Sequence, residues 1–226
     1  MQPTFSAPAT SASRTLAAVG ALTGWAALGV QLWLTVTLVV AQGRGWPMGL
    51  VIYFGFFTIL TNLLATLALS AWRIGPGFPG HGWLTSPVTL TTAAGAITIV
   101  GLVYFFILRH LWKPEGAQFL VDAALHYLMP VLVVLFWAWA VPARAITGSR
   151  APRLLLYPLG YLVYVFARGE VVGLYPYAFI DVLKIGYPTA LRNSVALIAA
   201  YALVVGTYVG LKALTPRPRA SKGRHS

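Results

Sequence analysis

Five polar side chains stand inside stretches of this sequence that are otherwise apolar: Thr58, Thr61 and Asn62 in YFGFFTILTNLL, and Asp122 and His126 in LVDAALHYLMP. Strongly polar or ionisable groups are expensive inside a long apolar run, so they are functional candidates by default. Asp122 and His126 lie four residues apart, which places them one turn apart on a single helix face, with Pro130 a further turn along. The same spacing rule stacks Thr58 over Thr61 and Asn62. A hydroxyl beside an imidazole is a minimal nucleophile and base, because Thr is unreactive until a neighbour takes its proton. Asp122 has two readings. It can orient the His126 ring as the third member of a triad, or it can pair with Arg109 or Arg168 near the end of the helix, and the ion pair is slightly favoured. A lone Thr in such a helix more often bonds its own backbone or packs on a neighbour, and Asn62 reads as glue between helices. His126 has few structural uses that would justify its cost there.

Other chemistries find little support. The chain has no Cys, which removes disulfides, thiol catalysis and thiolate metal sites. Its four His, at positions 81, 110, 126 and 225, fall on different elements with none at close ligand spacing, so neither a metal site nor a cofactor is expected.

The elements that must position these residues are membrane spans. Hydrophobic residues make up 58% of the 226 and charged residues only 9%, against roughly 25% charged in a soluble domain. Apolar runs of about 20 residues match a hydrocarbon core of roughly 30 Å. Six are present, at about 15–40, 48–72, 87–109, 118–141, 153–168 and 191–213, the fifth being short and carrying Pro158. Stretches such as GRGWP, RIGPGFPGHG and ITGSRAPR break them. The expected fold is an all-α, six-transmembrane-helix bundle over 14–214. Residues 1–13 read as a disordered tail with no signal-peptide pattern, and 215–226 as a basic cytoplasmic tail. Trp46, Trp72, Trp83 and Trp112 near span ends fit an interfacial aromatic belt.

Charge sets the expected orientation. One side holds ten basic residues (Arg14, Arg73, Arg144, Arg150, Arg153, Lys212, Arg217, Arg219, Lys222 and Arg224) and the other six, so the ten-residue side, which carries both termini, should face the cytoplasm of a cell membrane. All four acidic residues, Glu115, Asp122, Glu170 and Asp181, fall on or near the opposite side. A net charge of +12 beside membrane spans points to anionic lipid headgroups as partners, not to nucleic acid. Oligomeric state is not encoded in any of these patterns.

The runs YFGFFTILTNLL, LVDAALHYLMPVLVVLFW and YPLGYLVYVFARGEVVGLYPYAFIDV, with GYP following, resemble the Pr6Pr family of bacterial membrane proteins over about 51–190. More distantly the chain is similar to the androgen-induced-protein family, whose members hydrolyse fatty acid esters of hydroxy fatty acids with a membrane-embedded Thr and His. The resemblance implies Thr58 as nucleophile, following an aromatic-apolar pair, and His126 as base, four residues before Pro130. An additional His of the eukaryotic motif is missing, and Asp122 stands near its place.

The expected function is therefore an intramembrane Thr/His hydrolase of lipid or fatty-acid esters, its substrate an amphiphilic ester reached through the lipid. The alternatives are a lipid-binding or transport protein and a structural partner of a membrane complex. Thr58, His126 and Asp122 are the candidate catalytic residues; Thr61, Asn62, Tyr127, Arg168, Tyr175 and Tyr177 are the candidate substrate-binding ones. The stretch RGEVVGLYPYAFIDVLKIGYP is too polar to span and is expected to fold over the mouth as a lid, pairing Glu170 or Asp181 with Arg168, Lys184 or Arg192.

Overall fold

A computed structural model describes residues 10–111 and 113–215; the basic tail after Thr215, residues 1–9 and Trp112 lie outside the described residues. Among those described, the chain is helical with no strand, and six helices are long and apolar enough to cross a membrane. They are Ser11–Ala41, Phe57–Ile74, Pro87–His110, Gly116–Ala140, Ala151–Val172 and Val182–Leu214. The first starts at Ser11, capped by the Thr10 hydroxyl, so three residues assigned to the tail are helical. We label the α-helical segments in chain order: α1 (Ser11–Ala41), α2 (Trp46–Tyr53), α3 (Phe57–Ile74), α4 (His81–Leu84), α5 (Pro87–Phe106), α6 (Gly116–Ala123), α7 (Met129–Ala140), α8 (Leu156–Val172) and α9 (Val182–Leu214).

Helix α5 is the axle of the bundle, packed by α3, α7 and α9, while α1 covers α3 and α7. Its TTAAGA stretch explains why. Lipid tails are as apolar as leucine, so membrane helices associate where small side chains let backbones approach. Thr91 to Ala96 are all buried, and a Cβ added at Gly95 would collide with Val205 of α9. Gly24 plays the same part on α1, where a Cβ would run into the Thr66 hydroxyl of α3. Large apolar side chains such as Leu22, Trp33, Val163 and Leu203 point outward.

Two departures from straight helices matter. The second apolar run is not one helix: it breaks at Phe54–Phe56, and α3 begins anew at Phe57 with extended backbone at Phe56 (φ −82°, ψ 130°). The fourth span widens into a π-helix over Ala124–Leu128 before α7. Pro130 has no N–H to offer the His126 carbonyl four residues back, so the α-helical register cannot continue through that point. Single π turns of this kind occur frequently at functional sites. Gly101 of α5 lets the neighbouring helix come close, since a Cβ there would stand 3.3 Å from the His126 carbonyl oxygen.

Candidate active site

The break between α2 and α3 leaves carbonyls without helical partners, and α8 supplies them. Tyr161 and Tyr164 donate to the carbonyls of Gly55 (3.0 Å) and Phe54 (3.1 Å). Arg168 donates through Nε and Nη2 to Val51 (3.1 and 2.8 Å) and through Nη1 to Leu174 (2.8 Å). The spacing 161, 164, 168 puts all three on one helix face. The guanidinium occupies the space over Gly55, where a Cβ would lie 2.9 Å from its carbon, so a side chain there would have to push the guanidinium aside. The YLVYVFAR segment is thus a brace that fixes where α3 starts.

That start places Thr58 in the first turn of α3, and not partway down a continuous second span. Thr58 Oγ1 stands 3.4 Å from His126 Nε2, so the two sequence candidates do meet. His126 Nδ1 lies 3.0 Å from the Asp122 carbonyl oxygen and 3.4 Å from the carboxylate Oδ1. A carbonyl oxygen only accepts, so Nδ1 carries the proton and Nε2 presents a lone pair to the Thr58 hydroxyl. The imidazole also stacks on Tyr104 of α5, centroids 4.1 Å apart and planes 20° apart.

On its other side Thr58 meets Tyr177, from the loop between α8 and α9. The phenol oxygen accepts the Thr58 backbone N–H at 3.3 Å and lies 3.4 Å from Oγ1. Burial pushes the Tyr177 phenol up from its usual range, with its bonds at Thr58 acting the other way, so it is protonated at neutral pH and has an O–H to give.

Two cavities share Thr58 and Tyr177. One, of about 440 Å³, carries His126, Asp122, Tyr104, Gln31, Thr35 and Gln118 among apolar walls. That size falls in the range of small-molecule sites, roughly 300–1,000 Å³. The other is a slot of about 70 Å³ with walls such as Val100, Pro158, Leu162 and Ile198.

The remaining sequence candidates are placed as follows. Asp122 is buried and stands on His126; among the described residues it makes no ion pair with Arg109 or Arg168, which corrects the favoured reading. Arg109 instead lies 3.7 Å over the Phe105 ring, and Arg168 braces backbone and lines neither cavity. Thr61 is fully buried and bonds the Tyr157 hydroxyl at 3.0 Å, away from both cavities. Asn62 donates to the Thr58 carbonyl (2.9 Å) and the Leu125 carbonyl (3.4 Å), tying α3 to the π turn beside His126. Tyr127 lies outside the cavities, edge-on to Tyr104. Tyr175 packs against Gly169 and donates to Glu170 at 2.7 Å, so Tyr177 alone of that pair reaches the site.

The segment after α8 folds back on the bundle, as the sequence suggests. Pro176 and Tyr177 line the larger cavity, Ile180 is buried, and Asn193 donates to the Phe179 carbonyl. Of the expected pairs, Asp181 with Lys184 is present at 3.3 Å. Glu170 accepts from Tyr175 and Tyr187 in place of a cation. Tyr104, Tyr161 and Tyr164 were not among the sequence candidates; the i, i+3, i+7 spacing with Arg168 is the one signal that pointed to the brace. Among the described residues no cluster of His, Cys, Asp and Glu could hold a metal ion. No family model, curated protein or solved structure matches this chain.

Proposed function

We propose that the chain is an intramembrane ester hydrolase with Thr58 as nucleophile and His126 as base, acting on an amphiphilic acyl ester. The observation that carries this reading is the hydroxyl set at 3.4 Å from an imidazole nitrogen whose tautomer is already fixed, on the wall of a ligand-sized cavity. Thr58 Oγ attacks the acyl carbon as His126 Nε2 takes its proton. The tetrahedral oxyanion forms beside the start of α3, where the positive end of the helix dipole favours negative charge. The Tyr177 O–H, 3.4 Å from Thr58 Oγ1, is a donor beside that position. Collapse expels the alcohol, protonated by His126, and leaves an acyl-Thr58 ester. Water, deprotonated by His126, then releases the fatty acid and restores the hydroxyl. No external oxidant, metal or cofactor is needed.

The resemblance to the Pr6Pr and androgen-induced-protein families supports the same pair. The ten-to-six excess of basic residues supports a cell-membrane location with both termini cytoplasmic, which puts the site in the outer half of the bilayer with membrane lipids as its surroundings.

The test is turnover of a medium-chain acyl ester by purified protein, with labelling by a fluorophosphonate probe. Thr58→Ala and His126→Ala are each expected to lose at least ~100-fold, the lower end for removing a positioned acid or base, while Thr58→Ser keeps part of the activity. Asp122→Asn should lose less than ~10-fold, because the backbone carbonyl of residue 122, not its carboxylate, makes the closer bond to Nδ1. Wild-type turnover in Thr58→Ala would overturn the assignment, and a lipid-binding role for the same cavity would replace it.

A further inference from the structure

Resting on that reading, we propose that the alcohol half of the ester is a neutral polyol of about sugar size, and not a carboxylate- or phosphate-bearing group. The larger cavity is polar along one line. Gln118, Asp122 and His126 recur every four residues on one face of the fourth span, and all three line the cavity. Eight residues at 1.5 Å each put the Gln118 level roughly 12 Å from the His126 level. A single glycerol fills the smaller part of that length and a hexose the greater part, with the reach of the Gln118 side chain covering the rest.

The groups along this line are built for hydroxyls. Gln118 Nε2 donates to Gln31 Oε1 at 2.8 Å; Gln31 Nε2 donates to Gln118 Oε1 at 3.4 Å and to the Thr35 hydroxyl at 3.2 Å. After these bonds one Gln118 N–H, the Thr35 O–H and a second lone pair on each amide oxygen remain. Nearer the reacting centre, Asp122 Oδ2 is buried without a hydrogen-bond partner, and such an orphan is costly unless a ligand or water satisfies it. Mixed donors and acceptors match alcohol hydroxyls, each of which is both. A carboxylate or phosphate only accepts; it would face the Asp122 carboxyl, and neither cavity is lined by a Lys or Arg among the described residues.

The experiment compares four lauroyl esters with full-length protein in detergent: 6-O-lauroyl-glucose, lauroyl lysophosphatidylcholine, the lauroyl ester of a hydroxy fatty acid, and methyl laurate, which has no headgroup. The expected result is a kcat/KM for the glucose ester at least ~10-fold above each charged ester, about the worth of one or two neutral hydrogen bonds. Gln118→Leu and Gln31→Leu should each erase most of that preference while leaving methyl laurate turnover within ~3-fold of wild type. That headgroup-free substrate separates a lost contact from a damaged α1–α6 interface. A charged ester cleaved as fast as the glucose ester, or an unchanged preference in both Gln variants, would overturn the inference and leave the hydrolase reading standing. If no ester is cleaved, or Thr58→Ala cleaves methyl laurate like wild type, the reading it rests on fails instead.

Discussion

Arg168→Lys isolates the brace that positions Thr58. The guanidinium makes three hydrogen bonds to two carbonyls, Val51 of α2 and Leu174 just after α8, with a planar fork that an ammonium cannot reproduce. Bonds to a charged donor contribute about 1.5–3 kcal/mol when buried; this side chain is half-exposed, so about 1 kcal/mol each is the fitting value, near 3 kcal/mol in all. A chain of this length shifts its melting point by roughly 2–4 °C per kcal/mol, which gives a drop of about 6–12 °C in detergent. The functional consequence is separate. With Val51 and Leu174 released, the start of α3 moves relative to His126, and a displacement of about 1 Å costs on the order of 100-fold in turnover. Both are read from one preparation, by thermal melting and by ester turnover well below both midpoints. Arg168→Lys melting as wild type would refute the energetics. A lowered melting point with wild-type kcat in the cold would refute the positioning argument, leaving the brace a stability device only.

Pro130→Ala gives the His126 carbonyl back its helical N–H partner, so the π turn can close to α. Each residue is about 100° of helix rotation, which turns the imidazole away from Thr58; kcat should fall at least ~10-fold with no loss of thermal stability, and unchanged turnover would show that the π turn is incidental. Fusing alkaline phosphatase to the C-terminus should give no activity on intact cells; an active fusion would invert the orientation and move the site to the cytoplasmic half of the bilayer.

What the sequence determined was the solvent and, from it, the architecture. Apolar runs of spanning length admit only helices in this composition, because a backbone in hydrocarbon must satisfy its own polar groups. The Asp122–His126 pairing was legible for the same reason: both lie on one span, and a spacing of four is local geometry. Thr58 and His126 are 68 residues apart, and their meeting depends on how α3 is started, not on composition. The apolar run 48–72 carries no Gly-Pro cluster to announce the break at Phe54–Phe56; it exists because Tyr161, Tyr164 and Arg168 of a distant helix satisfy the carbonyls it frees. The pairing of Asp122 could not be read either. Two arginines and a histidine were all within plausible reach in sequence, and packing gave the arginines to Phe105 and to the backbone. Likewise Tyr175 and Tyr177, two residues apart, looked equivalent; the turn of the loop sends one to Glu170 and the other to Thr58. Local periodicity is written in the order of residues, whereas a contact between distant segments is decided by which polar groups the fold leaves without a partner, and that is a property of the packed bundle alone.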